Sequence, residues 1–231
     1  MILARVPLAR FTNAPRAWLS IALWSAFAIV SALAARQPGG GSGADRILLG
    51  AFGNVVAPLL AFAAVGSALG GEGLKEAIRP VVALGASPSR VALATVLTAM
   101  GVSAAVTGLV GGAAVAIAGS PHLGADLVAS LWIGALGGAC YAAWFSLGAT
   151  FGRGGGGRAT FLVLDFLLGS SAGDTSSTIA LFTPRGNLHN LLGGVAPDDV
   201  PQQVSSVALA LLGGACLLLA ARRANAASAK R

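Results

Sequence analysis

Val91-Ala-Leu-Ala-Thr-Val-Leu-Thr-Ala-Met-Gly-Val-Ser-Ala-Ala-Val-Thr-Gly-Leu-Val-Gly-Gly-Ala-Ala-Val-Ala-Ile-Ala118 decides the fold, because no charged side chain occurs between Arg90 and Asp126. A helix needs about 20 such residues to cross about 30 Å of hydrocarbon. Five more apolar stretches of similar length accompany it: Ala17–Ala35, Ile47–Leu69, Leu127–Phe151, Ala159–Phe182 and Val204–Ala221. Hydrophobic residues make up 55% of the chain and charged residues 10%, with a mean hydropathy of +0.80. A soluble domain of this size does not carry that balance. The expected fold class is therefore all-α: one polytopic transmembrane domain over residues 1–231, with six membrane-spanning helices.

The charges sort between alternate gaps, and lysine and arginine accumulate on the cytoplasmic side of a membrane. Arg5, Arg10 and Arg16 precede the first span, and Lys75, Arg79 and Arg90 lie in the second gap. Arg153 and Arg158 fall in the fourth gap; Arg222, Arg223, Lys230 and Arg231 close the tail. Only Arg36, Arg46 and Arg185 fall on the other side, beside Asp45, Asp126, Asp198 and Asp199. Both termini are thus expected in the cytoplasm, in a cytoplasmic (inner) membrane. The isoelectric point near 11.0 reflects this topology and contact with anionic membrane lipid, and points to no nucleic-acid partner. The first span reads as a retained signal anchor, since its apolar run is too long for a signal peptide and no small-residue cleavage site follows.

Most polar features have a plain structural reading. Cys140 and Cys216 sit inside spans without metal-ligand spacing, as small buried residues. No metal site is expected, and His122 reads as a solvated loop residue in a short outer turn. Arg153-Gly-Gly-Gly-Gly-Arg158 lacks the Lys-Ser/Thr ending of a phosphate loop and joins two spans, so it reads as a linker. Pairs such as Gly66/Gly70, Gly108/Gly112, Gly134/Gly138 and Gly148/Gly152 permit close helix packing without marking a dimer seam. Ser170, Ser171 and His189 lack the loop or base spacing of a hydrolase, so no catalytic residue is assigned.

The second gap carries more. In Gly70-Gly-Glu-Gly-Leu-Lys-Glu-Ala-Ile-Arg-Pro-Val-Val-Ala-Leu-Gly-Ala-Ser-Pro-Ser-Arg90, the residues Leu74, Ala77, Ile78, Val81 and Val82 recur at helical spacing. Glu72, Lys75, Glu76 and Arg79 face the other way. That is a short amphipathic helix able to lie along the interface. Pro80 is expected to disrupt its middle, and Gly85 with Ser87-Pro88 to end it.

The layout resembles the membrane subunit of ABC-type exporters of the ABC-2 class. The resemblance rests on six spans with cytoplasmic ends, acidic Glu72 and Glu76 after the second span, an amphipathic helix, and Leu84 with Ser87-Pro88-Ser89-Arg90 leading into the third. Gly85-Ala86 is inserted and the proline displaced relative to the family pattern. The resemblance implies that residues 72–90 form a coupling helix docking on a cytosolic ABC ATPase dimer. Glu72, Leu74, Glu76, Ile78, Arg79, Ser87, Pro88 and Arg90 are the candidate coupling residues. It also implies a second permease copy, as a homo- or heterodimer, and ATP with magnesium held by the partner ATPase. No nucleotide motif occurs in this chain, so no cofactor of its own is expected.

Asp165 and Asp174 are the acids inside the predicted spans, and buried carboxylates there are functional candidates for a translocation path or gate. Asp165 lies near the cytoplasmic end of the fifth stretch, within reach of Arg158 or Arg153, so a structural ion pair is the other reading. Gly169-Ser-Ser-Ala-Gly-Asp174 interrupts that stretch. Either the fifth span faces a polar cavity, or it breaks and continues as short outer re-entrant helices, as in many ABC-2 members. The competing function is an ion-coupled carrier, with Asp165 or Asp174 binding the ion, or a non-transporting membrane scaffold.

Overall fold

The computed structural model describes residues 2–36, 43–152, 154–169, 178–194 and 200–228. Every regular element among them is helical. The elements are α1 (Ile2–Thr12), α2 (Pro15–Ala35), α3 (Gly43–Ala68), α4 (Leu74–Ala83), α5 (Pro88–Ala118), α6 (Leu123–Gly148), α7 (Gly157–Gly169), α8 (Pro184–Leu191) and α9 (Gln202–Ser228). A 3₁₀ turn, Thr178–Phe182, precedes α8. Five helices, α2, α3, α5, α6 and α9, are long and apolar enough to cross a membrane. The chain is a multi-pass membrane protein. Its periphery agrees: Leu19, Leu23, Val30, Leu109, Val128 and Leu211 all turn outward, which suits a bundle surrounded by lipid tails.

The basic residues gather at one end of the bundle. There the Arg10 guanidinium donates to the Ala77 carbonyl (2.9 Å), Leu74 N–H to Ala149 O (3.0 Å), and Arg158 to Gly71 O (3.0 Å). Arg223 donates to the Thr150 hydroxyl (3.0 Å) and lies 3.8 Å over the Phe151 ring. At the opposite end, Ala44 N–H meets Gly119 O and Asn190 binds Ser205. The basic N-terminal flank is itself a helix. Ala14 is extended, as the residue before a proline prefers, and Pro15 opens α2 where its missing N–H costs nothing. Trp18 closes this corner by donating to Thr12 O (3.1 Å).

The tightest seam joins α5 and α6. A Cβ on Gly108 would lie 2.8 Å from Leu131 O, and one on Gly134 would lie 2.9 Å from Thr107 O. Thr107 then bonds Gly134 O across the seam (2.7 Å). The glycine pairs Gly108/Gly112 and Gly134/Gly138 therefore serve packing within this chain.

Two expectations bear on these elements. The stretch 159–182, left open between a continuous and a broken span, is described as helix α7 up to Gly169 and a 3₁₀ turn over Thr178–Phe182. Helix α7 is described over the 13 residues Gly157–Gly169, about 20 Å at 1.5 Å per residue. Residues 170–177, including Asp174, lie outside the described residues. The chain is back beside Gly169 at Thr183 and Arg185, whose atoms come within 3 Å of where a Gly169 Cβ would sit. Helix α8 is then buried among α3, α6, α7 and α9, as a re-entrant element would be. Second, Pro80 does not break α4, which runs through it to Ala83. The proline lies on the exposed face of the helix, and the helix ends instead where Gly85 takes φ +89°.

Candidate functional site

Two places concentrate polar groups that a bundle of this composition would otherwise avoid. The first is α4, at the basic end. Leu74 (0% exposed), Ala77 and Ile78 (4%) bury its inner face, against α5. Glu72, Glu76, Arg79, Ser87 and Arg90 are exposed, and among the described residues no ion pair engages them. Ser87 Oγ lies 3.1 Å from Ser89 Oγ, and Pro88 is the first residue of α5. Leu84, at the end of α4, is 88% exposed. The result is a firmly seated helix that presents unpaired charges of both signs around an unburied leucine.

The second place lies midway through the bundle. Asp165 is eight residues into α7, about 12 Å along its axis, and is fully buried. Its partner is Arg185, not Arg158 or Arg153 as the spacing suggested. Arg153 lies outside the described residues, and Arg158 turns to the carbonyls of Gly155 and Gly71. Arg185 gives its backbone N–H to Asp165 Oδ1 (3.0 Å) and its Nε to Oδ2 (3.4 Å). The carboxylate thus caps the N-terminus of α8, where partial positive charge resides. Tyr141 of α6 donates its hydroxyl to Oδ2 (3.2 Å). The Arg185 guanidinium stacks 3.7 Å from the Phe166 ring centroid.

The remaining Arg185 nitrogens reach α3. One donates to Asn54 Oδ1 (3.0 Å), the other to the Asn54 carbonyl. That carbonyl is available for a local reason. Pro58, four residues on, has no N–H to offer it, and Leu48–Val56 is wound as a wider π-helix. The same loosened stretch turns the Leu49 carbonyl toward Asn54 Nδ2 (2.6 Å) and His189 Nε2 (3.3 Å). Thr183 caps α8 through its hydroxyl, which accepts from Gly186 N–H (3.2 Å). The network joins α3, α6, α7 and α8, and both Asp165 oxygens are committed within it.

Asn54 and Tyr141 carry no mark in the sequence reading, which assigns Arg185 to an outer gap. The available signals were the Asn54/Pro58 spacing and a lone arginine after Thr183-Pro184. Cys140 and Cys216 are buried free thiols, and His122 is exposed in its turn. Among the described residues no cluster of His, Cys, Asp and Glu could hold a metal. No family model, curated protein or solved structure matches the chain.

Proposed function

We propose that this chain is the membrane subunit of an ATP-driven exporter resembling the ABC-2 class, set in the cytoplasmic membrane with both termini inside. Two such subunits, identical or related, enclose the path, and two cytosolic ATPase subunits bind beneath them and hold ATP and magnesium. The observation that carries the reading is α4: an inner face seated by Leu74 and Ile78, with Glu72, Glu76, Arg79 and Leu84 presented outward unpaired. An 88% exposed leucine beside solvated charges of both signs gives a partner protein an apolar contact with a polar rim. In this reading, closure of the ATPase dimer pushes residues 72–90 and tilts α3 and α5, the helices to which they connect.

The test is co-purification from the native membrane followed by an ATPase assay. A nucleotide-hydrolysing partner is expected at near stoichiometry. Reversing Glu72 and Glu76 to lysine lowers its recovery about tenfold or more, with helical content unchanged. A chain that purifies alone moves the weight to the ion-coupled carrier or scaffold. For the carrier, the buried Asp165 is the motivating observation, although an ion there has to displace Arg185.

A further inference from the structure

A cavity of about 810 Å³ opens at the basic end, between the α1–α2 corner and the last turns of α3. Its polar part is formed by Arg10, Arg16 and Arg158, with Glu72 the carboxylate on its lining. Its apolar part is formed by Trp24, Leu59 and Phe62. Trp24 is nine residues into α2, and Leu59 nine residues before the end of α3. Each is about 13 Å from the helix end at helical rise, so the apolar wall runs well below the headgroup level.

Arg158 makes this a built site. The residue is 8% exposed. Its Nε bonds Gly155 O (3.3 Å) and one terminal nitrogen bonds Gly71 O (3.0 Å). The other, Nη1, has no partner although buried. It sits over Gly66, where a Cβ would lie 3.1 Å away, and the guanidinium carbon lies 5.8 Å from the Phe62 ring centroid. Burial pulls the Arg158 pKa down from its ordinary value. A buried donor left unpaired costs free energy, and an anionic oxygen is the acceptor it suits best. Arg10 spends one nitrogen on Ala77 O, and Arg16 is exposed at the rim.

We infer that this cavity holds an anionic phospholipid of the adjoining leaflet, its phosphate between Arg10 and Arg16 with the buried Arg158 guanidinium as the positive floor, and its acyl chain along Phe62, Leu59 and Trp24. Three cations against one carboxylate select a negative headgroup, and the apolar wall selects a lipid over a free anion. The inference rests on membrane insertion alone and is independent of the exporter reading.

Native mass spectrometry of the full chain, released from micelles doped equally with phosphatidylglycerol and phosphatidylcholine, tests it. One retained phosphatidylglycerol is expected. Gly66→Leu, which fills the cavity beside Arg158 without removing any cation, abolishes the preference. Arg16→Gln, at an exposed position that leaves folding intact, weakens retention about fivefold, the worth of one basic residue near an anionic surface. Retention that ignores headgroup, or that survives both substitutions, overturns the assignment. So does displacement of the lipid by millimolar inorganic phosphate, which would make the site one for free phosphate.

Discussion

Asp165 shows what one buried charge demands. A carboxylate removed from water is tolerated when opposite charge and hydrogen bonds replace its solvation, and here Arg185, its backbone N–H and Tyr141 do so. Arg185 in turn is satisfied by Asn54 and the Phe166 ring. Removing either partner strands the other. Arg185→Leu is expected to cost about 3–5 kcal/mol of stability, and Asp165→Leu a similar amount. The double substitution should cost clearly less than their sum, because neither charge is then left alone. Thermal unfolding of the four proteins in one detergent measures the cycle; strict additivity would show that the pair is not coupled. Sequence alone flagged Asp165 but could not supply its partner. Arg185 lies twenty residues further on, and only the reversal of the chain after Gly169 brings it back.

At the scale of elements, much was legible. Four apolar runs and the last one became helices near their expected bounds, because hydrocarbon allows few backbone solutions other than a continuous helix. Helix α4 was legible from the spacing of Leu74, Ala77 and Ile78. The stretch 159–182 was not, since its composition satisfies a length criterion while its polar centre needs partners from elsewhere in the bundle. The small-residue pairs were visible as well, but not their mate. Only the packed structure shows that Gly134 and Gly138 meet Thr107 and Ser103 of the same chain. This gives a paired expectation. A Cβ on Gly138 would overlap Thr107 Oγ1 and lie 2.8 Å from Ser103 O, so Gly138→Ala forces α5 from α6 and costs about 1–3 kcal/mol. Gly101, on the exposed face of α5, has nothing within 4 Å. Gly101→Ala should be neutral or stabilising by about 0.5–1 kcal/mol. Melting temperatures of the two variants in the same detergent should therefore move in different directions, and a shared loss would reject the seam.

The molecule as a whole is polarised: arginines that anchor loops gather at one end, while the other end is tied by neutral groups such as Asn190, Ser205 and Gln202. Lysine and arginine resist transfer to the outer side, so this asymmetry predicts which end faces the cytoplasm, and with it where α4 can find a partner. The chain offers a clean way to measure it. Its two native thiols are nearly inaccessible, at 2% for Cys140 and 3% for Cys216, so an introduced cysteine reports against a silent background. His122 is exposed in the turn between α5 and α6, and Ser87 is exposed just after α4. A membrane-impermeant maleimide should label His122→Cys in intact cells. It should reach Ser87→Cys only once the membrane is permeabilised. The opposite pattern would place α4 and its unpaired Glu72, Glu76 and Leu84 outside, away from any ATPase, and the exporter reading would fall with it. Labelling as expected puts that surface in the compartment that holds ATP, as the exporter reading requires.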